Sequence, residues 1–143
     1  MRSDPEGVLE AGVRAYAIGD LPAAAAFFPD NAVFAIYVDQ DVLPFAGQVH
    51  GRANILETFR DIAADFEVKR YELRSISVRN EIVRSQVDFS FCHRASGETI
   101  DGVMRIVAEV HNGLITRYRE YHDQERIRAF MRLCEQSWKK DNS

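Results

Sequence analysis

The sequence predicts an α+β fold: a cone-shaped, curved antiparallel sheet with N-terminal helices over its concave face, enclosing a pocket. Three observations predict it. Residues 82–123 divide into three long strand-like runs, IVRSQVDFSFCHR, TIDGVMRIVAEV and LITRYREYHD, separated only by ASGE and HNG. Apolar residues at helical spacing precede these runs, and another helical run follows them at once. Strands this long, joined by tight turns behind N-terminal helices, suit a sheet that wraps around its own helices.

Each element has a local cause. Val8, Leu9, Gly12, Val13 and Tyr16 recur at helical spacing, and Gly19 stops that helix. Asp20 reads as an N-cap, with Pro22 in the first turn, for a short helix running through Ala26 and Phe28. Pro29-Asp30-Asn31 is a turn, and Ala32 to Val38 is an apolar first strand. Asp39 to His50, punctuated by Pro44 and Gly47, reads as loop. After Gly51 a second long helix carries Ile55, Phe59, Ile62, Ala63 and Phe66 on one stripe. Tyr71 to Val78 is the next strand, ahead of the three long runs. The last helix shows Ile127, Phe130, Met131, Cys134 and Trp138 on one face.

Bulk properties narrow the function classes. A chain of 143 residues makes one domain with a proper core, ordered over about 6–138. The net charge of −4, with Lys and Arg interspersed among acids, argues against a nucleic-acid partner. No leader-like segment opens the chain and no apolar run approaches a membrane span. Cys92 and Cys134 have neither metal-ligand spacing nor the numbers for a disulfide framework. The four His are scattered without ligand spacing, so no metal and no cofactor is expected. A cytoplasmic protein without membrane attachment is the expectation.

Turn chemistry proposes a strand register. Ser96-Gly97 and Asn112-Gly113 both suit two-residue hairpin loops. With those loops Asp88 sits opposite Arg105, and Arg105 opposite Glu120, all on one face. Gln86, Val107 and Tyr118 flank that row on one side; Ser90, Val103 and His122 flank it on the other. The opposite face holds Val87, Phe89, Phe91, Met104, Ile106 and Tyr121. A one-residue slip in either turn breaks the row. Two arrangements stay open. Either the apolar face is the core and the charged row meets water, or the polar face lines the pocket and the apolar face meets another subunit.

Several motifs carry a family resemblance: Gly19-Asp20-Leu21, the segment PFAGQVHGRANI (Pro44 to Ile55), and the ending REYHD (Arg119 to Asp123). Together they resemble SnoaL-like proteins of the nuclear transport factor 2 superfamily. The resemblance implies a curved sheet with helices over its concave face, and a homodimer formed through the outer face. It also favours the polar face as the pocket lining. Ketosteroid isomerases on this fold place an Asp base and a Tyr donor where this chain has Ile36 and Gly12. Limonene-epoxide hydrolases are nearer. Their Trp-Arg-Asp-Tyr strand is matched by Tyr118-Arg119-Glu120-Tyr121, and their Arg-x-Asp by Gln86-Val87-Asp88, whereas their water-holding Tyr and Asn fall on Phe34 and Ile36. Asp123 matches the Asp that ends the last strand of SnoaL-like cyclases, though an N-cap role explains it as well.

The candidate catalytic set is therefore Asp88, Arg105 and Glu120, with Glu120 as base for water, Asp88 as proton donor and Arg105 as the bridge. Gln86, Tyr118, Phe34, Ile36, Tyr16, Phe59, Phe66 and His122 are the candidate ligand contacts. Such a pocket suits a small, mostly apolar, oxygenated molecule. Two functions follow: a cofactor-free isomerase, cyclase, dehydratase or epoxide hydrolase, or a non-catalytic ligand-binding or dimeric interaction domain.

Overall fold

The computed structural model describes residues 4–141. Helix α1 (Pro5–Ala17) starts at Asp4, whose carboxylate accepts from the Gly7 N–H, and α2 (Leu21–Ala25) starts at Asp20, which caps the Ala23 N–H at 3.1 Å. Strand β1 (Val33–Tyr37) and helix α3 (Arg52–Asp65) fall where the sequence places them. Residues 47–50, expected as loop, form strand β2 (Gly47–His50), paired antiparallel with β1. The α3 stripe ends one residue earlier than its apolar spacing suggests. Phe66 already belongs to β3 (Phe66–Arg79), because its backbone pairs with His93. The remaining elements are β4 (Ile82–His93), β5 (Thr99–His111), β6 (Leu114–Tyr121) and α4 (Gln124–Asp141).

The sheet runs β2-β1-β6-β5-β4-β3. It is antiparallel except at one place: β1 lies parallel to β6, with Ile36 beside Glu120. Irregularities between Val68 and Arg70 and between Leu73 and Ser75 bend β3 along β4. Extra residues of this kind increase local twist and curl a sheet. Helices α1, α2 and α3 fill the hollow so formed through Leu9, Val13, Ala24, Ala25, Ile55 and Phe59, all buried.

Both hairpins matter for the site, and they differ from expectation in different ways. The β4–β5 loop is not the two-residue turn that Ser96-Gly97 suggests. His93 N–H donates to the Glu98 carbonyl at 2.8 Å, so four residues, Arg94 to Gly97, make the turn. The Ser96 hydroxyl, 2.8 Å from His93 Nδ1, holds it. Asp88 therefore faces Val103, and Arg105 faces Gln86. That shift is even, so the faces keep their composition. The β5–β6 turn is the expected two-residue loop, with Asn112 and Gly113 at φ 52° and 78° and His111 opposite Leu114. Directly beyond it, a bulge at Thr116 advances β6 by one residue. Its hydroxyl donates to the Glu109 carbonyl at 3.2 Å. Past the bulge Glu120 faces Ile106, not Arg105, and Arg105 faces Tyr121. The row Asp88–Arg105–Glu120 is not formed.

Candidate functional site: a carboxylate in an aromatic cavity

The apolar face of β4 and β5 turns inward, and with it the residues Tyr118 and Glu120 of β6. A cavity of about 100 Å³ lies between this face and the helices. Twenty-five residues line it, and eleven of them are Phe or Tyr. Eight of the chain's nine phenylalanines are among these, so the aromatic residues are concentrated on one space. Tyr16 comes from α1, Phe59 from α3, Phe34 and Ile36 from β1, Phe66 and Tyr71 from β3, Phe89 and Phe91 from β4. Helix α4 closes the wide end through Ile127, Phe130 and Met131. The rings form one connected cluster. Phe34 stacks on Tyr118 at 4.6 Å, and Phe59 meets Tyr16, Phe28 and Phe34 edge-on.

Glu120 is the one carboxylate in this lining, and no Lys or Arg is present there. Its side chain is 11% exposed and that of His122 is 7%. The Tyr118 hydroxyl donates to Oε1 at 2.8 Å, and His122 Nε2 lies 2.6 Å from Oε2. A carboxylate removed from water needs such partners, and charge-assisted bonds of this length are the strong ones. Its field reaches further. Burial first, and the Glu120 charge second, hold the hydroxyls of Tyr16, Tyr71 and Tyr118 well above the ordinary tyrosine range. These phenols therefore stay neutral and serve as donors. The Tyr71 hydroxyl has only the Met104 sulfur at 3.7 Å, a weak acceptor, and remains available for a better one.

His122 follows β6 and stands where that strand leaves the sheet for α4. It borders a second space of about 180 Å³, between Gly102 and Val103 of β5 and Asp123 and Arg126 at the start of α4. Asp123 caps α4, accepting the Arg126 N–H at 3.3 Å. Phe89 reaches His122, with ring centroids 5.7 Å apart.

Of the residues proposed from sequence, Glu120, Tyr118, His122, Tyr16, Phe34, Ile36, Phe59 and Phe66 all line the cavity. Asp88, Arg105 and Gln86 lie on the outer face. Asp88 is 3.7 Å from Arg74 there, and Arg105 borders an outer cleft with Ser75, Gln86 and Tyr121. The proposed acid and bridge thus lie across the sheet from the proposed base. Sequence reasoning missed Tyr71, Phe89, Phe91, Met104 and the three α4 side chains. For Phe89, Phe91 and Met104 the signal was present: they are the apolar face that the simpler of the two arrangements puts inside. Among the described residues no group of three His, Cys, Asp or Glu is placed to hold a metal, and no helix is long and apolar enough to cross a membrane.

A search of curated proteins finds no match. Among solved structures, a protein from Rhodopseudomonas palustris provisionally named an isomerase is similar, with 26% identity, 93% of this chain and 97% of that one covered, and a TM-score of 0.76. An LEH-like epoxide hydrolase of M. tuberculosis shares the fold at 16% identity, with 90% of each chain covered and a TM-score of 0.70. So does a protein of ketosteroid isomerase-like fold from Catenulispora acidiphila, solved with trimethylamine, at 13% identity, 87% and 91% coverage and a TM-score of 0.75. The family model of the SnoaL-like domain matches residues 9–118, most of the chain including β1 and the Tyr118 end of the site. With a cone closed over its own helices and a match of that extent, the chain belongs to the SnoaL-like domain family.

Proposed function

We propose that this protein is a cofactor-free enzyme that moves protons on a small, mostly apolar, oxygenated molecule, within the range of isomerase, cyclase, dehydratase or epoxide hydrolase. The observation that carries this reading is the buried Glu120 carboxylate, held between Tyr118 and His122 in an otherwise apolar, aromatic cavity. An apolar cavity alone needs only shape. A carboxylate inside it costs desolvation that an apolar side chain there would avoid, so its presence asks for a use.

In this reading Glu120 is the base. It takes a proton from a water or from a carbon next to a carbonyl, while His122 fixes Oε2 and accepts or returns the proton. The neutral hydroxyls of Tyr16 and Tyr71 donate to the substrate oxygen on which negative charge collects. Tyr118 orients the carboxylate and is committed to it. The names of the isomerase and epoxide hydrolase relatives are compatible with this chemistry, since both reactions need a placed base and a donor. A homodimer through the outer face of the sheet belongs to the same proposal.

The test is a turnover screen with small enones, ketones and epoxides, followed by Glu120→Gln on any substrate found. Loss of about 10²-fold or more in kcat with an unchanged Tm supports the reading. Full activity in that variant overturns it. A second function, ligand binding without catalysis, is favoured by the absence of the paired acid on the outer strand; saturable binding with no turnover across the screen would establish it.

A further inference from the structure

We infer that the cavity selects a ligand carrying positive charge: a small organic ammonium, or a neutral substrate whose reacting carbon becomes positive. This rests on the reading that the cavity is the ligand site, and adds the sign of the charge it prefers. Three observations carry it. The lining holds one carboxylate and no Lys or Arg, so nothing in the cavity wall offers a fixed positive charge except His122 if protonated. Around that carboxylate stand Tyr16, Phe34, Phe59, Tyr71, Phe89 and Tyr118, whose rings attract cations by their quadrupoles. Both hydrogen bonds recorded for Glu120 come from groups that leave its charge in place when neutral, a phenol and an imidazole. An aromatic wall with a carboxylate is the arrangement that recognises alkylammonium groups, because the cation loses its water to rings and regains a counter-charge.

Size adds a second constraint. The cavity measures about 100 Å³. In a different protein an engineered cavity of about 150 Å³ takes up benzene, so a ligand of roughly four to six non-hydrogen atoms fits here without rearrangement. The same field bears on chemistry. A fixed carboxylate among rings stabilises positive charge gathering on carbon as an epoxide C–O bond opens, and the Tyr16 and Tyr71 hydroxyls can receive the departing oxygen.

The experiment compares tetramethylammonium with tert-butyl alcohol, a neutral molecule of the same tetrahedral shape and heavy-atom count. Each is titrated into ¹⁵N-labelled protein and followed by NMR at the amides of Phe34, Phe89 and Glu120. Tetramethylammonium should bind at these residues roughly thirtyfold more tightly than the alcohol. The preference should vanish in Glu120→Gln, which keeps the shape and both hydrogen-bonding positions. Equal binding of the two probes overturns the inference and points to a protonated His122 cancelling the charge. A preference that survives Glu120→Gln also overturns it. If the alcohol or cyclopentanone binds and tetramethylammonium does not, the charge inference fails while the cavity stands as a ligand site. If none binds, both readings fail.

Discussion

At the scale of single residues, the site depends on two positions with different kinds of constraint. Glu120 is constrained by charge. Replacing it with Ala leaves the Tyr118 hydroxyl and His122 without their acceptor, and costs about 1–3 kcal/mol in addition to function. Gly102 is constrained by space. A Cβ there would stand 2.6 Å from Phe89 Cζ, so the ring lies directly on the β5 backbone. Elsewhere in a strand, Gly to Ala would gain roughly 0.5–1 kcal/mol from backbone entropy. Here Gly102→Ala pushes Phe89 toward His122 and the cavity. Net destabilisation of about 1–3 kcal/mol by urea unfolding is expected, together with weaker uptake of any cavity probe. A more stable variant would show that Phe89 has room to yield.

At the scale of elements, the Thr116 bulge decides what the cavity contains. Ile115 and Tyr118 are both buried, three residues apart, which a regular strand cannot achieve since it alternates every second residue. Deleting Thr116 restores regular pairing and turns Tyr118, Glu120 and His122 to the outer face, or else forces the turn to slip. Either way the buried Tyr118 is lost from the core, a cost of about 3–5 kcal/mol. A deletion variant as stable as the parent in thermal unfolding would contradict this assignment. Helix α4 makes a contrasting case. It covers the cavity through Ile127, Phe130 and Met131 and is tied down by contacts at the surface: Gln124 to the Asp39 N–H, Arg128 to Asp39 and Asp41, Ser137 to Glu98. Ending the chain at Asp123 should leave the sheet folded with an open, apolar cavity, read as strong binding of a hydrophobic dye. Global unfolding would instead make α4 part of the cooperative core. The sequence reading fares unevenly by element for the same physical reasons. Caps, helical stripes and the Asn112-Gly113 turn are local, and Asp20, Ile55 and Gly113 declare them. The bulge was announced only by the Ile115–Tyr118 spacing, and the longer loop by nothing beyond His93 and Ser96. Register is a non-local property, so eight of eleven candidate site residues reach the cavity while Asp88, Arg105 and Gln86 go to the far side.

At the scale of the whole molecule, the two faces of the sheet make separate demands. On the outer face Tyr37 and Val103 are 46% and 41% exposed, and Tyr37 stacks on Tyr121 at 4.8 Å. If a second copy covers this face, Tyr37→Glu combined with Val103→Glu should halve the mass seen in sedimentation and leave the cavity unchanged; a monomeric parent chain would remove the dimer from the proposal. On the inner face three tyrosines are kept neutral by burial and by Glu120. That has a pH consequence whose sign is fixed. Unfolded, these phenols titrate near the ordinary value of about 10. Folded, they hold their protons to higher pH, so above about pH 10 the unfolded state binds fewer protons than the native one. Stability is then fully present below pH 10 and falls as pH rises, by about 1.4 kcal/mol per pH unit for each such tyrosine. With three of them the chain should unfold cooperatively in alkali. Phenolate absorbance from Tyr16, Tyr71 and Tyr118 should appear together with the loss of circular dichroism, not before it. Tyr71→Phe should shift that midpoint upward, since one fewer proton is released on unfolding. Ionisation of all five tyrosines while the dichroism stays native would mean that the cavity admits hydroxide. The enclosed, low-dielectric setting on which both the base role of Glu120 and the preference for a cation depend would then be absent.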